Sequence, residues 1–156
     1  MFRNRREFAC ALEALGRRDF VLAQAEFTSL LERPPDGLER AFLLNKRGVA
    51  RIGLELRDLA REDFAAALEV DACYAPALTN LGSLLLEEGR LEEAIAHYER
   101  AVESDRDYAV AHLNLGVAYK RAGRIAEGVR ALRYAQRLED RQRATALRSF
   151  PRFRSR

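Results

Sequence analysis

Imidazole is the side chain best suited to acid–base work near neutral pH, so His97 and His112 are the first residues to test for chemistry. No nucleophile is paired with either by spacing. His97 reads as a solvated face residue and His112 as partly buried packing. The carboxylate pairs Glu87-Glu88 and Glu92-Glu93 flank a turn, where solvated helix ends account for them. Cys10 and Cys73 stand far apart without CxxC or metal-ligand spacing. They read as small buried apolar residues in a reducing, cytoplasmic compartment. No GxxxxGK[ST], GxGxxG or HExxH occurs. The expectation is no enzyme, no metal, no cofactor and no small-molecule substrate.

What the chain does carry is a repeat. Asn80-Leu81-Gly82 returns as Asn114-Leu115-Gly116 after 34 residues, and Tyr74-Ala75, Gly89-Arg90, Glu93 and Ala101 return at the same offset. A fixed period of this length marks a helical hairpin as the structural unit. The register extends backward, since Gly48 precedes Gly82 by 34 residues and Ala60 precedes Ala94 by the same interval.

Composition agrees with a folded protein: 48% of the 156 residues are apolar and 33% charged. No window approaches the roughly 18 apolar residues of a membrane span. Glu13 and Gly16-Arg17-Arg18 interrupt the apolar run near the N-terminus, which argues against a secretory signal. Charge is uneven. Residues 141–156 hold six Arg and no acid, while residues 1–140 hold 21 basic and 24 acidic residues. The body is mildly acidic and the tail is a basic arm.

The spacing predicts helices near 5–16, 19–32, 41–54, 57–70, 75–88, 91–104, 109–122 and 125–138, with no strand. Phe8, Leu12 and Leu15 step at helical intervals, as do Phe20, Ala23, Phe27 and Leu30. Pro34-Pro35-Asp36-Gly37 stops the second helix, and residues 38–40 are extra between hairpins. Pro76 suits the first turn of a helix, where its missing N–H costs nothing. The units run 4–37, 41–74, 75–108 and 109–142, followed by 143–156.

Within the 34-residue unit the residues fall as Asn-Leu-Gly, then Tyr or Leu, Gly-Arg, an apolar residue, Glu-Ala, Tyr or Leu and Ala, a pattern that resembles the tetratricopeptide repeat (TPR). The family's small positions are held by Ala11, Gly48, Gly82 and Gly116 on the first helices and by Ala23, Ala60, Ala94 and Gly128 on the second. Its large position is held by Phe27, Phe64, Tyr98 and Leu132. There are departures. The closing Pro is matched by Pro35 but replaced by Ala72, Arg106 and Asp140, and the Trp-like position holds Glu7, Leu44, Leu78 and His112. The resemblance implies an all-α, right-handed α-solenoid of four antiparallel helix hairpins. Small residues there let two helices cross closely while a large residue fills the space beside them.

The resemblance also implies a concave groove lined by the first helix of each hairpin. The candidate binding residues are Phe8, Leu12, Phe42, Asn45, Val49, Ile52, Asn80, Ser83, Leu86, Asn114, Val117, Lys120 and Arg121. This groove is more apolar than the clamps with which some relatives hold a C-terminal EEVD carboxylate, which argues against that class of partner. Asn80 and Asn114 resemble asparagines that grip peptide backbone in the family, since an Asn side chain offers both a donor and an acceptor.

The expected function is a non-enzymatic interaction module that holds an extended or helical segment of another protein. Two alternatives are a nucleic-acid or anionic-surface binder acting through the Arg-rich tail, and a small chaperone or assembly adaptor. Three local expectations follow. Gly128→Ala stabilises unless the helices cross tightly there. Loss of Asn80 and Asn114 leaves melting unchanged. A short capping helix through about Phe150 buries Leu147 and Phe150 on the last hairpin.

Overall fold

The computed structural model describes residues 5–33 and 36–149. Among them the chain forms only helices: α1 (Arg5–Gly16), α2 (Phe20–Glu32), α3 (Gly37–Gly53), α4 (Arg57–Val70), α5 (Ala75–Glu87), α6 (Leu91–Ser104), α7 (Ala109–Arg121) and α8 (Ile125–Ser149). Each odd-numbered helix packs on the even one after it, and each even one packs on the next odd one. The inner row also touches itself, α3 on α5 and α5 on α7, whereas no even helix packs extensively on another among the described residues. The array is therefore an α-solenoid that curves with its odd helices inside. No helix of the described residues is long and apolar enough to cross a membrane.

Within each hairpin a small residue meets a large one. A Cβ built on Gly48 would lie 2.5 Å from the Phe64 ring, one on Gly82 2.7 Å from the Tyr98 ring, and one on Gly116 2.7 Å from Leu132. Phe64 and Tyr98 are buried as a result. In the first hairpin Ala11 and Phe27 share a core with Ala14, Ala23 and Leu43.

The turns inside the hairpins share one backbone conformation. Arg18, Glu55, Gly89 and Gly123, at corresponding positions, have φ of 62°, 63°, 78° and 77°. Only the last two are glycines, the residue that adopts this region without a Cβ clash.

Several expectations need correction. α3 begins at Gly37, not at 41, because the Asp36 carboxylate accepts a hydrogen bond from the Glu39 N–H at 2.9 Å and caps the helix. The residues expected as a spacer, 38–40, are its first turn. The expected separate capping helix does not form within the described residues. α8 runs unbroken to Ser149, since nothing between Asp140 and Leu147 is a Gly or Pro to stop it. Residues 140–147 are exposed, and Leu147 is 75% exposed instead of packed. Phe150 lies outside the described residues.

Both cysteines are exposed free thiols, contrary to the buried role expected of them. Cys10 lies on α1. Cys73 sits in the turn between α4 and α5, its N–H donated to Asp71 Oδ1 at 3.0 Å.

Candidate functional site

The candidate residues lie along the inner helices, and their packing divides them into two groups. Near the N-terminal end they make an aromatic patch. The Phe8 and Phe42 rings are 5.4 Å apart, and Lys46 Nζ stands 5.2 Å from the Phe42 ring in cation–π geometry. Leu12 is half-buried against the first core. Val49 packs toward Ala60, Phe64 and Leu84, while Ile52 at the end of α3 is exposed.

The second group is a polar ladder between inner helices. Asn80 Nδ2 donates to Asn45 Oδ1 at 2.8 Å, joining α5 to α3. Asn114 Nδ2 donates to Ser83 Oγ at 3.3 Å, joining α7 to α5. Ser83 also accepts from the Tyr98 hydroxyl at 3.1 Å and donates to the Thr79 carbonyl at 3.0 Å. Asn45 is buried and so lies off the open surface. The amide N–H groups of Asn80 and Asn114, expected to face a bound backbone, are directed at neighbouring repeats. Each carbonyl oxygen is the half of the side chain left to meet a peptide N–H. Leu86 is half-buried beside Leu85 and Ile95, and Val117, Lys120 and Arg121 are exposed on α7.

Two ionic clusters escape a reading of the sequence. Asp63, buried on α4, accepts two hydrogen bonds from Arg47 (3.0 Å from Nε, 2.6 Å from Nη2) and pairs with Arg51 Nη1 at 2.9 Å. Two guanidinium groups around one buried carboxylate hold α3 to α4, and removing Asp63 would leave both without their shared partner. No motif spacing signals this, since Arg47 lies 16 residues from Asp63 and Arg51 lies 12 from it, both across a turn.

The other cluster braces the third hairpin to the fourth. The Tyr119 hydroxyl donates to Glu99, and Arg124 lies 4.1 Å from the Tyr119 ring and pairs with Glu127. Burial first, then the Glu99 carboxylate, pushes the Tyr119 hydroxyl up to about 12. The hydrogen bond from Arg124 holds Glu127 below the usual carboxylate range. Glu87 and Glu88, expected only as solvated ends, pair with Arg57 and Arg61 of α4. His112 is buried, with one ring nitrogen 3.0 Å from the Arg106 carbonyl and its ring centre 4.5 Å from that of Tyr134.

A family model, the TPR repeat, matches residues 82–123, from the first crossing glycine of the third hairpin to the turn glycine of the fourth. That stretch is a tetratricopeptide repeat. In sequence, the chain is 39% identical over 85 residues to a probable UDP-N-acetylglucosamine–peptide N-acetylglucosaminyltransferase SPINDLY of Solanum lycopersicum. That stretch is 54% of this chain and 9% of the relative, so the chain spans a small part of that protein's length.

Among solved structures it is similar to MamA, with a TM-score of 0.68 at 19% identity over 86% of this chain and 77% of that one. It is also similar to YrrB, described as a TPR protein with an unusual peptide-binding site, with a TM-score of 0.63 at 22% identity over 86% and 68% of the two chains. At such identities the likeness speaks for the fold.

Proposed function

We propose that this TPR array is a non-enzymatic interaction module whose concave face holds an extended or helical segment of another protein. The observation that carries the reading is the row of accessible apolar side chains on the inner helices. Ile52 and Val117 are exposed there, and Phe8 and Phe42 form a half-buried aromatic pair beside Lys46. Apolar anchors bordered by a few fixed polar groups are what a groove needs to take an amphipathic segment. The polar groups are the carbonyl ends of Asn80 and Asn114, oriented because their amide ends are tied to Asn45 and Ser83. A likeness to a solved TPR protein with a peptide-binding site supports the same reading.

Selection of a displayed random-peptide library on the full chain tests it. Selected peptides are expected to lose about tenfold or more in affinity for the Ile52→Asp, Lys46→Glu double variant, a change of about 1.4 kcal/mol. Peptides that bind that variant as tightly as the parent would place the site elsewhere.

A further inference from the structure

Among the described residues, no further hairpin covers the outward face of the fourth hairpin. Thr79 in the third hairpin is 2% exposed, yet Leu113, at the same position in the fourth, is 42% exposed. Ile95 and Tyr98 share a core with Leu115 and Ala118 of α7, while their counterparts Val129 and Leu132 are left half-covered. Ile125 is 54% exposed. What α7 does for the third hairpin, nothing among the described residues does for the fourth.

Ile125, Val129 and Leu132 step by three and four along α8, an apolar stripe of about 10 Å at 1.5 Å per residue. Beyond it the same face turns polar, with Gln136, Asp140 and Arg143. It is also strongly basic on one side. Arg130, Arg133 and Arg137 line a groove of about 720 Å³ together with His112 and Tyr134. Neither Arg133 nor Arg137 forms an ion pair among the described residues, and Arg137 rests 5.6 Å from the Tyr134 ring.

We infer that this end face is a second docking surface, separate from the concave groove, and that its occupant is an acidic amphipathic helix of another protein. That helix would lie on α7 and α8 where the first helix of a further hairpin would sit. The apolar stripe requires an apolar face, the arginines beside it require carboxylates, and a cleft between two packed helices admits a third.

Charge argues against a second copy joined through the same face, which would set Arg133 and Arg137 against their own equivalents. The N-terminal end offers a mixed face, with Arg17 paired to Glu13 beside Asp19 and Leu22. A copy joined that way is the outcome that self-association detects. Residues 150–156 add three more Arg and no acid. A polynucleotide would satisfy the guanidinium groups but leave Leu113 and Ile125 in water.

The test uses the full chain and two synthetic peptides of the length of α7. Both carry leucine at i, i+3, i+4 and i+7, one with glutamate and the other with lysine elsewhere. The glutamate peptide is expected to bind at least about tenfold more tightly than its lysine twin. Arg133→Glu with Arg137→Glu should reverse that preference, and Leu113→Asp should abolish binding. Ile52→Asp with Lys46→Glu, which alters the concave groove alone, should leave binding unchanged, so failure of one site does not imply failure of the other.

Equal affinity for the twins would overturn the proposal, as would loss of binding in the groove variant. A single-stranded RNA that displaces the peptide and still binds Leu113→Asp would make this an anion surface instead. Self-association that Leu113→Asp abolishes would assign the face to a second copy. Tighter peptide binding after removal of residues 150–156 would assign it to the chain's own tail.

Discussion

The third and fourth hairpins are near copies in sequence, yet their crossings are filled differently. In the third, Gly82 on α5 makes room for the Tyr98 ring, whose hydroxyl reaches across to Ser83. In the fourth, Leu132 stands where Tyr98 would, and Gly128 replaces Ala94. With a shorter side chain in the gap the backbones close up. A Cβ on Gly128 would lie 2.8 Å from the Gly116 carbonyl oxygen and 2.6 Å from Lys120 Cγ. One register thus supports two solutions, a ring filling a gap and two backbones in contact. The third hairpin is also sealed by α7, whereas nothing among the described residues seals the fourth.

The largest effect should come from emptying the sealed crossing. Tyr98→Ala is expected to cost about 3–5 kcal/mol, the usual range for a large buried aromatic. Leu132→Ala should cost only about 1–2 kcal/mol, because part of its surface already meets water. Chemical denaturation of the two variants measures both. Equal losses would mean that the end of the array is as well packed as its middle.

Next comes the second small position, where the two hairpins should respond to opposite changes. Gly128→Ala is expected to destabilise, because overpacking of about 1–3 kcal/mol exceeds the roughly 0.5–1 kcal/mol gained in helix propensity. This reverses the stabilisation expected where helices cross loosely, since the approach of α7 to α8 is tight. Ala94→Gly should cost about 0.5–1 kcal/mol from propensity alone. A higher melting temperature for Gly128→Ala would show that α7 and α8 separate without cost.

The asparagine ladder tests whether the hairpins are coupled through their inner face. The Asn80→Ala, Asn114→Ala double variant should lose about 0.5–1.5 kcal/mol per hydrogen bond, more at Asn45, whose buried oxygen is left without its donor. That corrects the expectation of unchanged melting. An unaltered denaturation midpoint would show that the ladder contributes nothing.

The turns give a smaller comparison between the two halves of the array. Glu55→Gly should stabilise by up to about 1 kcal/mol by relieving a left-handed residue, and Gly89→Ala should cost a similar amount. A lower melting temperature for Glu55→Gly would mean that its unfolded-chain entropy outweighs the relief. The smallest effect belongs to the projecting end of α8. Among the described residues, truncation after Asp140 removes the exposed residues 141–147 with the Arg141–Asp107 pair at 2.8 Å and the Arg143–Glu139 pair at 3.8 Å. It should therefore cost under about 1 kcal/mol. A fall of several degrees in melting temperature would show that residues 141–156 pack on the array.

The sequence by itself determined the unit, its period and its fold class. The pairing of Gly48 with Phe64 and of Gly82 with Tyr98 was legible because small and large residues recur at one spacing. Each hairpin closes on residues near in the chain, so periodicity along the chain carries the information. Assignment of the candidate groove residues to the first helix of each hairpin came instead from the resemblance to the tetratricopeptide repeat.

Only the tertiary structure decided what each face meets. Whether Asn80 offers its amide to a peptide or to Asn45 depends on the neighbouring repeat, as does the burial of Thr79 and the exposure of Leu113. The ionic cluster at Asp63 depends on how two helices are rotated against each other. The end of α8 was misjudged because a lapse in the apolar stripe looks like a break, although a run of good helix formers needs no partner to continue the turn it is in. Burial is a property of stacked surfaces, and repeats alike in sequence differ in burial according to whether another hairpin follows.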